Sequence, residues 1–376
     1  MSAIAYRFIE PLDVLFLRGN KLFGDPGSYG ESLVPPWPSV AAGAIRARML
    51  ADDRIDLAAF AKGDVAHPTL GTPENPKDFA ITHFHLARRT DRGIELLVAS
   101  PADLVIDDKG KGGKPSVRRL SPVQLPDTGI ASSAALPQLA VLAEKERSKP
   151  ASGYWLKQSG WEKYLRGETP DEDELIQSGK LWQLDPRVGV GLDAGMRRAA
   201  DGRLFSVQAV AMARDVGFLV GVAGAEPPAA GLLRLGGDGR AAAIHTVSCA
   251  LPEPDYAAIA QARRCRLVLT TPGLFAGGWL PTGADSGGHF ELQGVRARLV
   301  CAAVPRAEVV SGWDLASNRP KPAQRVAPAG SVYWLDDLDA TPDALRKLAA
   351  AGLWPKEEQN PSRRAEGFNR FIFAAY

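Results

Sequence analysis

Several stretches rich in glycine or proline carry arginine, lysine and aromatic side chains that together suit single-stranded RNA. Arginine and lysine donate hydrogen bonds to phosphates, aromatic rings stack on bases, and small polar side chains contact ribose hydroxyls. The candidate residues are Arg18, Asn20, Lys21, Phe23, Ser28, Arg197, Arg198, Trp313, Lys321, Arg325, Asn369 and Arg370. The same pattern also fits a simpler interpretation, in which Trp313 and Trp334 are core aromatics and the arginines belong to solvated faces. The residues alone leave both interpretations open.

The histidines and cysteines give little support to a catalytic or metal site. Only His83 and His85 lie close together, on one face of a predicted strand, and a packed structural role explains both without a ligand. Cys249, Cys265 and Cys301 are too scattered for a disulfide framework or a zinc site. The motifs G-x-S-x-G, H-E-x-x-H and G-x-x-x-x-G-K-[ST] are absent from the sequence. We therefore expect no catalytic residues, no metal and no cofactor.

A G-x-G-x-x-x-G pattern that begins at Gly189 imitates a dinucleotide-binding fingerprint. Pro186 interrupts the strand that such a fingerprint needs before it, and no acidic residue follows at the required distance. We instead predict a glycine-permitted loop over 189–203. This loop would bring basic side chains together, among them Arg197 and Arg198.

The first long loop is expected to lie between a strand and a helix. Residues 12–17 alternate and are rich in β-forming residues, which predicts a strand. Ser39 is a suitable N-cap for a helix over 38–51, because Pro38 disfavours helix before it. The intervening loop, 18–30, is longer than such a connection requires, and loops of that length usually have a function or are disordered.

The order of the predicted elements indicates an α+β protein. A strand, a helix and then a hairpin formed by 81–89 and 94–107 open a βαββαβ, ferredoxin-like unit. Two prolines beside acidic residues precede a change of pattern near residue 250, so we predict domains over 1–250 and 251–376. The chain's 376 residues suffice for two hydrophobic cores.

The composition limits the classes of partner. Lysine and arginine number 45 against 43 aspartates and glutamates, so any charge that binds nucleic acid must be local. The 38 glycines and 29 prolines favour many loops, and 311–330 is expected to be one of them.

The N-terminus lacks the pattern of a signal peptide, and no apolar run reaches the roughly 18 residues of a membrane span. We expect a cytoplasmic protein with no membrane partner.

Five blocks of the sequence resemble one known family. They are PLDVLFLRGNKLFGDPGSYGESLVPPWPS near the N-terminus, GVGLDAGMRRAADGRLFSVQAV over 189–210, LTTPGLFAGGWLP over 269–281, SGWDLASNRPKPAQRVAPAGSVYW over 311–334 and EGFNRFIFAAY over 366–376. In this order they resemble the third subunits of type III-B CRISPR effectors, the Cmr complexes. Those subunits belong to the repeat-associated mysterious protein (RAMP) superfamily. The resemblance covers nearly the whole chain.

The resemblance implies two ferredoxin-like, RNA-recognition-motif-like domains with inserted hairpins and long loops. It implies a noncatalytic subunit that holds the 5′ handle of the CRISPR RNA. The implied protein partners are the large polymerase-like subunit and the first backbone subunit, and target RNA is cut by the backbone subunits. The superfamily's glycine-rich loop corresponds to 366–369, where Asn369 replaces a frequent second glycine. Other members are metal-independent endoribonucleases that use a histidine, so processing of repeat RNA is the alternative function.

Overall fold

A computed structural model describes residues 3–19, 29–108, 114–124, 134–144, 150–193, 195–314, 317, 319–357 and 360–376. The strands are β1 (Ala5–Pro11), β2 (Tyr29–Gly30), β3 (Ala80–Thr90), β4 (Gly93–Ala99), β5 (Leu104–Asp107), β6 (Ser116–Arg119), β7 (Ser121–Gln124), β8 (Gln138–Val141), β9 (Tyr154–Lys157), β10 (Leu175–Gln177), β11 (Trp182–Asp193), β12 (Arg198–Met212), β13 (Val216–Ala223), β14 (Ala230–Arg234), β15 (Ala241–Thr246), β16 (Cys265–Leu269), β17 (His289–Leu292), β18 (Val295–Ala303), β19 (Glu308–Val310), β20 (Trp313–Asp314), β21 (Arg319–Pro320), β22 (Gln324–Val326), β23 (Val332–Asp339) and β24 (Phe371–Ala374). The α-helices are α1 (Pro38–Asp52), α2 (Leu57–Lys62), α3 (Gln158–Leu165), α4 (Tyr256–Ala262), α5 (Pro342–Ala351) and α6 (Pro361–Ala365). The predicted α+β class is confirmed, with mostly antiparallel sheets and short helices.

An eight-stranded sheet has the order β10-β9-β4-β3-β13-β1-β15-β14. Within it, β1 pairs antiparallel with both β13 and β15. Successive side chains of a strand point to opposite faces. Phe8 accordingly packs in one core with Val268 and Trp334, whereas Ile9 packs in another core with Ile45 of α1. Helix α1 therefore covers one face of this sheet, and the C-terminal part of the chain packs on the other.

A five-stranded sheet has the order β17-β18-β23-β16-β24. Leu267 and Tyr333, which are opposite each other in β16 and β23, share a core with Leu345 of α5. Val268 lies opposite Val332 in the same pair of strands, and both belong to the core shared with the eight-stranded sheet. The two sheets thus pack on each other through apolar faces, with α1 and α5 on the outer faces.

A buried polar group joins the two sheets. Arg266 of β16 donates from Nη1 to Oδ2 of Asp103 over 2.6 Å, and both side chains are inaccessible to solvent. The Tyr164 hydroxyl of α3 donates to the other oxygen of Asp103 over 2.7 Å. Arg266 also donates from Nη2 to the Ala375 carbonyl over 2.8 Å. Buried charges are tolerated when they are paired and hydrogen-bonded, and this one is.

The predicted loop over 189–203 is wrong, because β11 and β12 form a long antiparallel hairpin there. Gly189 lies opposite Phe205, and a Cβ atom at Gly189 would come within 2.4 Å of the Phe205 ring. The glycine therefore admits an aromatic side chain from the neighbouring strand and does not mark a loop. β2 adds to this hairpin in parallel at Ser206 and Val207.

Three other local expectations differ from the structure. Helix α1 begins at Pro38, and Trp37 occupies the N-cap position without a side-chain hydrogen bond, so Ser39 is not the N-cap. Proline suits the first helical position because the N–H that it lacks has no partner there. The run 12–17 contributes only single bridges at Leu15, to Val210, and at the following Arg18. The stretch 311–330 includes short paired strands.

No helix in the described ranges is long and apolar enough to cross a membrane.

Candidate nucleic-acid interface

Three cationic side chains surround one buried carboxylate, that of Glu366. Its Oε2 accepts a hydrogen bond from Nη1 of Arg363 over 2.9 Å. Its Oε1 lies 3.3 Å from Nζ of Lys321 and 3.8 Å from Nη2 of Arg46. We call these four residues the Glu366 cluster. One carboxylate cannot neutralise three cations, so the cluster has an excess of positive charge. The Lys321 side chain is 37% exposed and that of Arg46 is 18% exposed, so solvent reaches part of this charge.

The cationic side chains of the Glu366 cluster are held in different ways. Arg363 of α6 is buried, and it also donates to the Ser311 carbonyl over 2.9 Å and to the Gln324 side chain over 3.2 Å. Arg46 extends from α1, where burial lowers its pKa and Glu366 opposes that shift. Lys321 is the most exposed of the three. Arg363 is therefore a positioning residue, whereas Lys321 and Arg46 can reach an anion.

The turn that carries Glu366 is fixed from within the protein. Gly367 and Asn369 have φ values of +89° and +59°, in the left-handed region that glycine and asparagine tolerate best. The Asn369 amide accepts from the Leu274 N–H over 2.5 Å and donates to the Leu353 carbonyl over 3.0 Å. Arg370 donates to the Ala350 carbonyl over 2.8 Å. Both side chains are buried, so we leave Asn369 and Arg370 out of the proposed interface.

The loop after β19 presents Trp313 beside the Glu366 cluster. Trp313 pairs with Pro320, and the Lys321 N–H donates to the Gly312 carbonyl over 2.9 Å. The Trp313 side chain is 46% exposed, whereas Trp334 is buried in the core. Arg325 is an exposed residue of β22, opposite Val309. The structure therefore brings Trp313 and Lys321 together, and places Arg325 on the adjoining ribbon.

The other sequence-predicted residues lie elsewhere. Asn20, Lys21, Phe23 and Ser28 fall outside the described residues. Arg18 forms an ion pair with Asp238 over 3.1 Å at the base of the first loop. Arg197 and Arg198 are exposed at the end of the β11–β12 hairpin, where Arg197 has a φ of +50°. The candidates therefore do not form one continuous site.

The two neighbouring histidines are in environments that keep them neutral. His83 and His85 share a face of β3, with ring centroids 6.4 Å apart. Desolvation lowers the pKa of His85 to about 4 and is the main cause that lowers the pKa of His83 to about 3. Neither imidazole is charged at neutral pH. In the part of the chain that the structure describes, no group of three or more histidine, cysteine, aspartate or glutamate side chains could hold a metal ion.

Sequence reasoning missed Arg46 and Arg363. Arg46 belongs to an Ala-rich helix and Arg363 to a five-residue helix, and in sequence each is one arginine among many. In the sequence, Glu366 is only the first residue of the predicted glycine-rich loop, and nothing there marks it as the centre of a basic cluster. No local signal relates α1 to this loop, because their contact arises from the packing of the folded chain.

Trp313 provides a test that separates stacking from packing. We expect Trp313→Ala to weaken single-stranded RNA binding by roughly 5- to 150-fold, since stacking contributes about 1–3 kcal/mol per base. The melting temperature of the free chain should stay unchanged, because the side chain is 46% exposed. Fluorescence anisotropy and thermal unfolding measure the two effects. Trp334→Ala is the matched control, and should lower the melting temperature. A fall in melting temperature for Trp313→Ala with unchanged RNA affinity would identify a packing role.

A comparison against known families identifies the family of this chain. The chain belongs to the family described as CRISPR-associated protein (Cas_Cmr3), whose model matches residues 7–374. The resemblance found in the sequence is thereby confirmed, and the chain is a subunit of a type III-B CRISPR effector, the Cmr complex. No curated protein matches the chain.

Solved structures give more distant similarities. One chain of a type III-B Cmr-beta complex bound to cognate target RNA overlaps 97% of this chain and 96% of its own length, with 12% identity and a TM-score of 0.48. A chain of the same kind of complex with cognate target RNA and AMPPnP overlaps 88% and 86%, with 13% identity and a TM-score of 0.45. A chain of the apo state overlaps 65% and 97%, with 12% identity and a TM-score of 0.27. The family assignment does not depend on these low scores.

Proposed function

We propose that this chain is a noncatalytic RNA-binding subunit that holds the 5′ handle of the CRISPR RNA in the cytoplasm. It would also join the large polymerase-like subunit to the backbone subunits during RNA-guided antiviral defence. The observation that carries the RNA-binding proposal is the excess positive charge of the Glu366 cluster beside the exposed Trp313. Single-stranded RNA needs both a phosphate-binding group and a stacking surface.

Each element of this surface has a defined part in the proposal. Lys321 and Arg46 would donate to phosphate oxygens, and Glu366 with Arg363 would keep them in place. Trp313 would stack on a base, and Arg325 would extend the positive surface along β22. Contacts from the first loop, 18–30, and from Arg197 and Arg198 stay predictions for the same RNA.

We further propose that the chain consists of two ferredoxin-like domains, over 1–250 and 251–376. The strand order β3-β13-β1-β15 in one sheet and β18-β23-β16-β24 in the other supports this proposal. Numbered within each unit, both orders are 2-3-1-4, which is the order of an antiparallel βαββαβ sheet. Helix α1 corresponds to the first crossover helix of one unit, and α5 to the second crossover helix of the other.

The lowered pKa values of the two neighbouring histidines, His83 and His85, support the proposal of a noncatalytic role. The alternative, a metal-independent endoribonuclease, needs a histidine that exchanges protons near neutral pH. The pKa values of His83 and His85, lowered mainly by burial to about 3 and about 4, do not suit that task. No observation favours cleavage over binding.

Ultraviolet crosslinking of the assembled complex, followed by mass spectrometry, tests the proposed function. We expect peptides that contain Trp313 or Lys321 to crosslink to handle nucleotides. The variant Lys321→Ala with Arg325→Ala should lose guide RNA while its melting temperature stays unchanged, because both side chains are exposed at the surface.

The matched control is Arg296→Ala with Arg298→Ala. It removes the same charge from exposed ion pairs with Asp339 and Asp337, and should keep the guide. If the Lys321 and Arg325 variant keeps its guide RNA but releases the large subunit, the loop is a protein interface. That result would contradict the proposal.

A further inference from the structure

A cavity of about 520 Å³ lies between the eight-stranded sheet and the five-stranded sheet. Its wall includes Trp37 before α1, His85 of β3, Ser100 after β4, Trp155 of β9 and Glu308 of β19. Most of the remaining lining residues are apolar or aromatic. A cavity of this size is in the range that holds a small organic group, and aromatic walls favour a planar one.

Polar atoms in the wall lack partners. The indole Nε1 of Trp37 and the hydroxyl of Ser100 are inaccessible to solvent and have no hydrogen-bond partner among the described residues. Trp37 is only 7% exposed. His85, which is half-buried, lies in the same wall. Buried donors and acceptors are nearly always satisfied in folded proteins, and exceptions often mark the place of a bound group.

The charge of the wall excludes an anionic occupant. No lysine or arginine is among the described residues that line the cavity, and the ionisable groups there are Tyr154, His85 and Glu308. Burial lowers the pKa of His85 to about 4 and raises the pKa of Glu308. A phosphate would therefore find no countercharge, whereas a neutral planar group with hydrogen-bonding edges would find both aromatic surface and unpaired polar atoms.

The cavity is close to the Glu366 cluster. Glu308, in the cavity wall, is three residues before Ser311, whose carbonyl accepts a hydrogen bond from Arg363 over 2.9 Å. At about 3.3 Å per residue, this extended segment spans roughly 10 Å. A short extended stretch of RNA can cover that distance, with a phosphate at the cluster and a base in the cavity.

We propose that this cavity binds one unstacked nucleobase of the RNA whose backbone lies on the Glu366 cluster. The proposal rests on the proposed RNA-binding function and adds the site at which a single base is enclosed. The Trp37 N–H would donate to an acceptor on the edge of the base, and the Ser100 hydroxyl and neutral His85 ring would complete its hydrogen bonds. The aromatic walls would cover the faces of the base.

The test uses the full-length chain and a set of short single-stranded RNAs of the CRISPR repeat. Each RNA carries 2-aminopurine at one position, and a matched set is abasic at that position. We expect one position at which the fluorophore is shielded from acrylamide when the RNA is bound. The abasic RNA for that position should bind about tenfold or more weakly than the intact RNA, because it loses stacking and hydrogen bonds together.

Two variants connect the effect to the cavity. Trp37→Phe keeps an aromatic ring but removes the indole N–H. It should weaken binding of the intact RNA about three- to tenfold and leave the affinity for the abasic RNA unchanged. Ser100→Phe should exclude the base by filling the cavity. Trp279→Phe, at a tryptophan outside this cavity, is the control. Thermal unfolding shows whether each variant folds. If Ser100→Phe does not fold, Trp37→Phe alone tests the cavity.

The outcomes separate this inference from the proposed function. Absence of RNA binding in the anisotropy measurement would overturn both. RNA binding with equal affinity for intact and abasic RNAs at every position would overturn the base-binding cavity and leave the RNA-binding surface in place. Release of a protein subunit by Trp37→Phe, with RNA affinity unchanged, would show that a partner's side chain fills the cavity instead.

Discussion

Replacement of Arg266 by methionine is expected to lower the free energy of unfolding by about 3–5 kcal/mol, because it removes the guanidinium that is hydrogen-bonded to the buried Asp103 carboxylate. Arg266 Nη1 lies 2.6 Å from Asp103, and neither side chain is exposed to solvent. The Tyr164 hydroxyl alone would then hydrogen-bond to that carboxylate. Chemical denaturation with intrinsic tryptophan fluorescence measures the change.

The control for Arg266→Met is Arg296→Met. Arg296 pairs with Asp339 at the surface, where an ion pair contributes about 0–1 kcal/mol. Adding Asp103→Leu to Arg266→Met should recover part of the loss, because it removes the unpaired charge as well. If Arg266→Met lost no more stability than Arg296→Met, the buried pair would not hold the two sheets together.

The second large effect is expected from Arg46→Gln combined with Lys321→Gln. Under the proposed function, this variant should bind handle RNA about a hundredfold more weakly or worse, since a hydrogen bond to a charged group contributes about 1.5–3 kcal/mol. Each lost phosphate contact on a single strand should also reduce the slope of log affinity against log salt by about 0.7. Titrations at several salt concentrations measure both quantities.

The control for this variant is Arg296→Gln with Arg298→Gln, which changes the net charge equally at two exposed ion pairs of β18. Arg363 still pairs with Glu366 in the Arg46 and Lys321 variant, so its melting temperature should stay close to that of the natural chain. An unchanged salt slope, or equal losses in both double variants, would show that the Glu366 cluster does not contact phosphate.

Several features followed from the sequence because they depend on neighbouring residues. The hairpin of β3 and β4 turns at 90–93, between the two runs of residues that predict it. The α+β class follows from the order of such elements. The family follows from long blocks in a fixed order. Trp313 and Lys321 were recognised as members of one stretch, and the structure places them together.

Other features were decided only by tertiary structure, because their partners are far apart in the chain. The stretch 189–203 looked like a loop, and it is a strand pair because Gly189 accepts Phe205 across the hairpin. Asn369 was predicted to contact RNA, and it is instead buried, with its amide hydrogen-bonded to the backbone at Leu274 and Leu353. Composition and periodicity report local preference and give no information on these distant contacts.

The Glu366 cluster and the cavity illustrate the same division. Arg46 meets Glu366 because the folded chain brings α1 close to the residue that follows α6, and the sequence marks neither arginine of the cluster as special. The cavity exists because two sheets that bury apolar faces leave a gap between them, which Trp37 and His85 help to line. The sequence by itself determined the class of fold, the family and the stretches rich in RNA-binding residue types. Tertiary packing decided which charges meet and which polar atoms lack partners, because both depend on distances between segments that only the folded chain fixes.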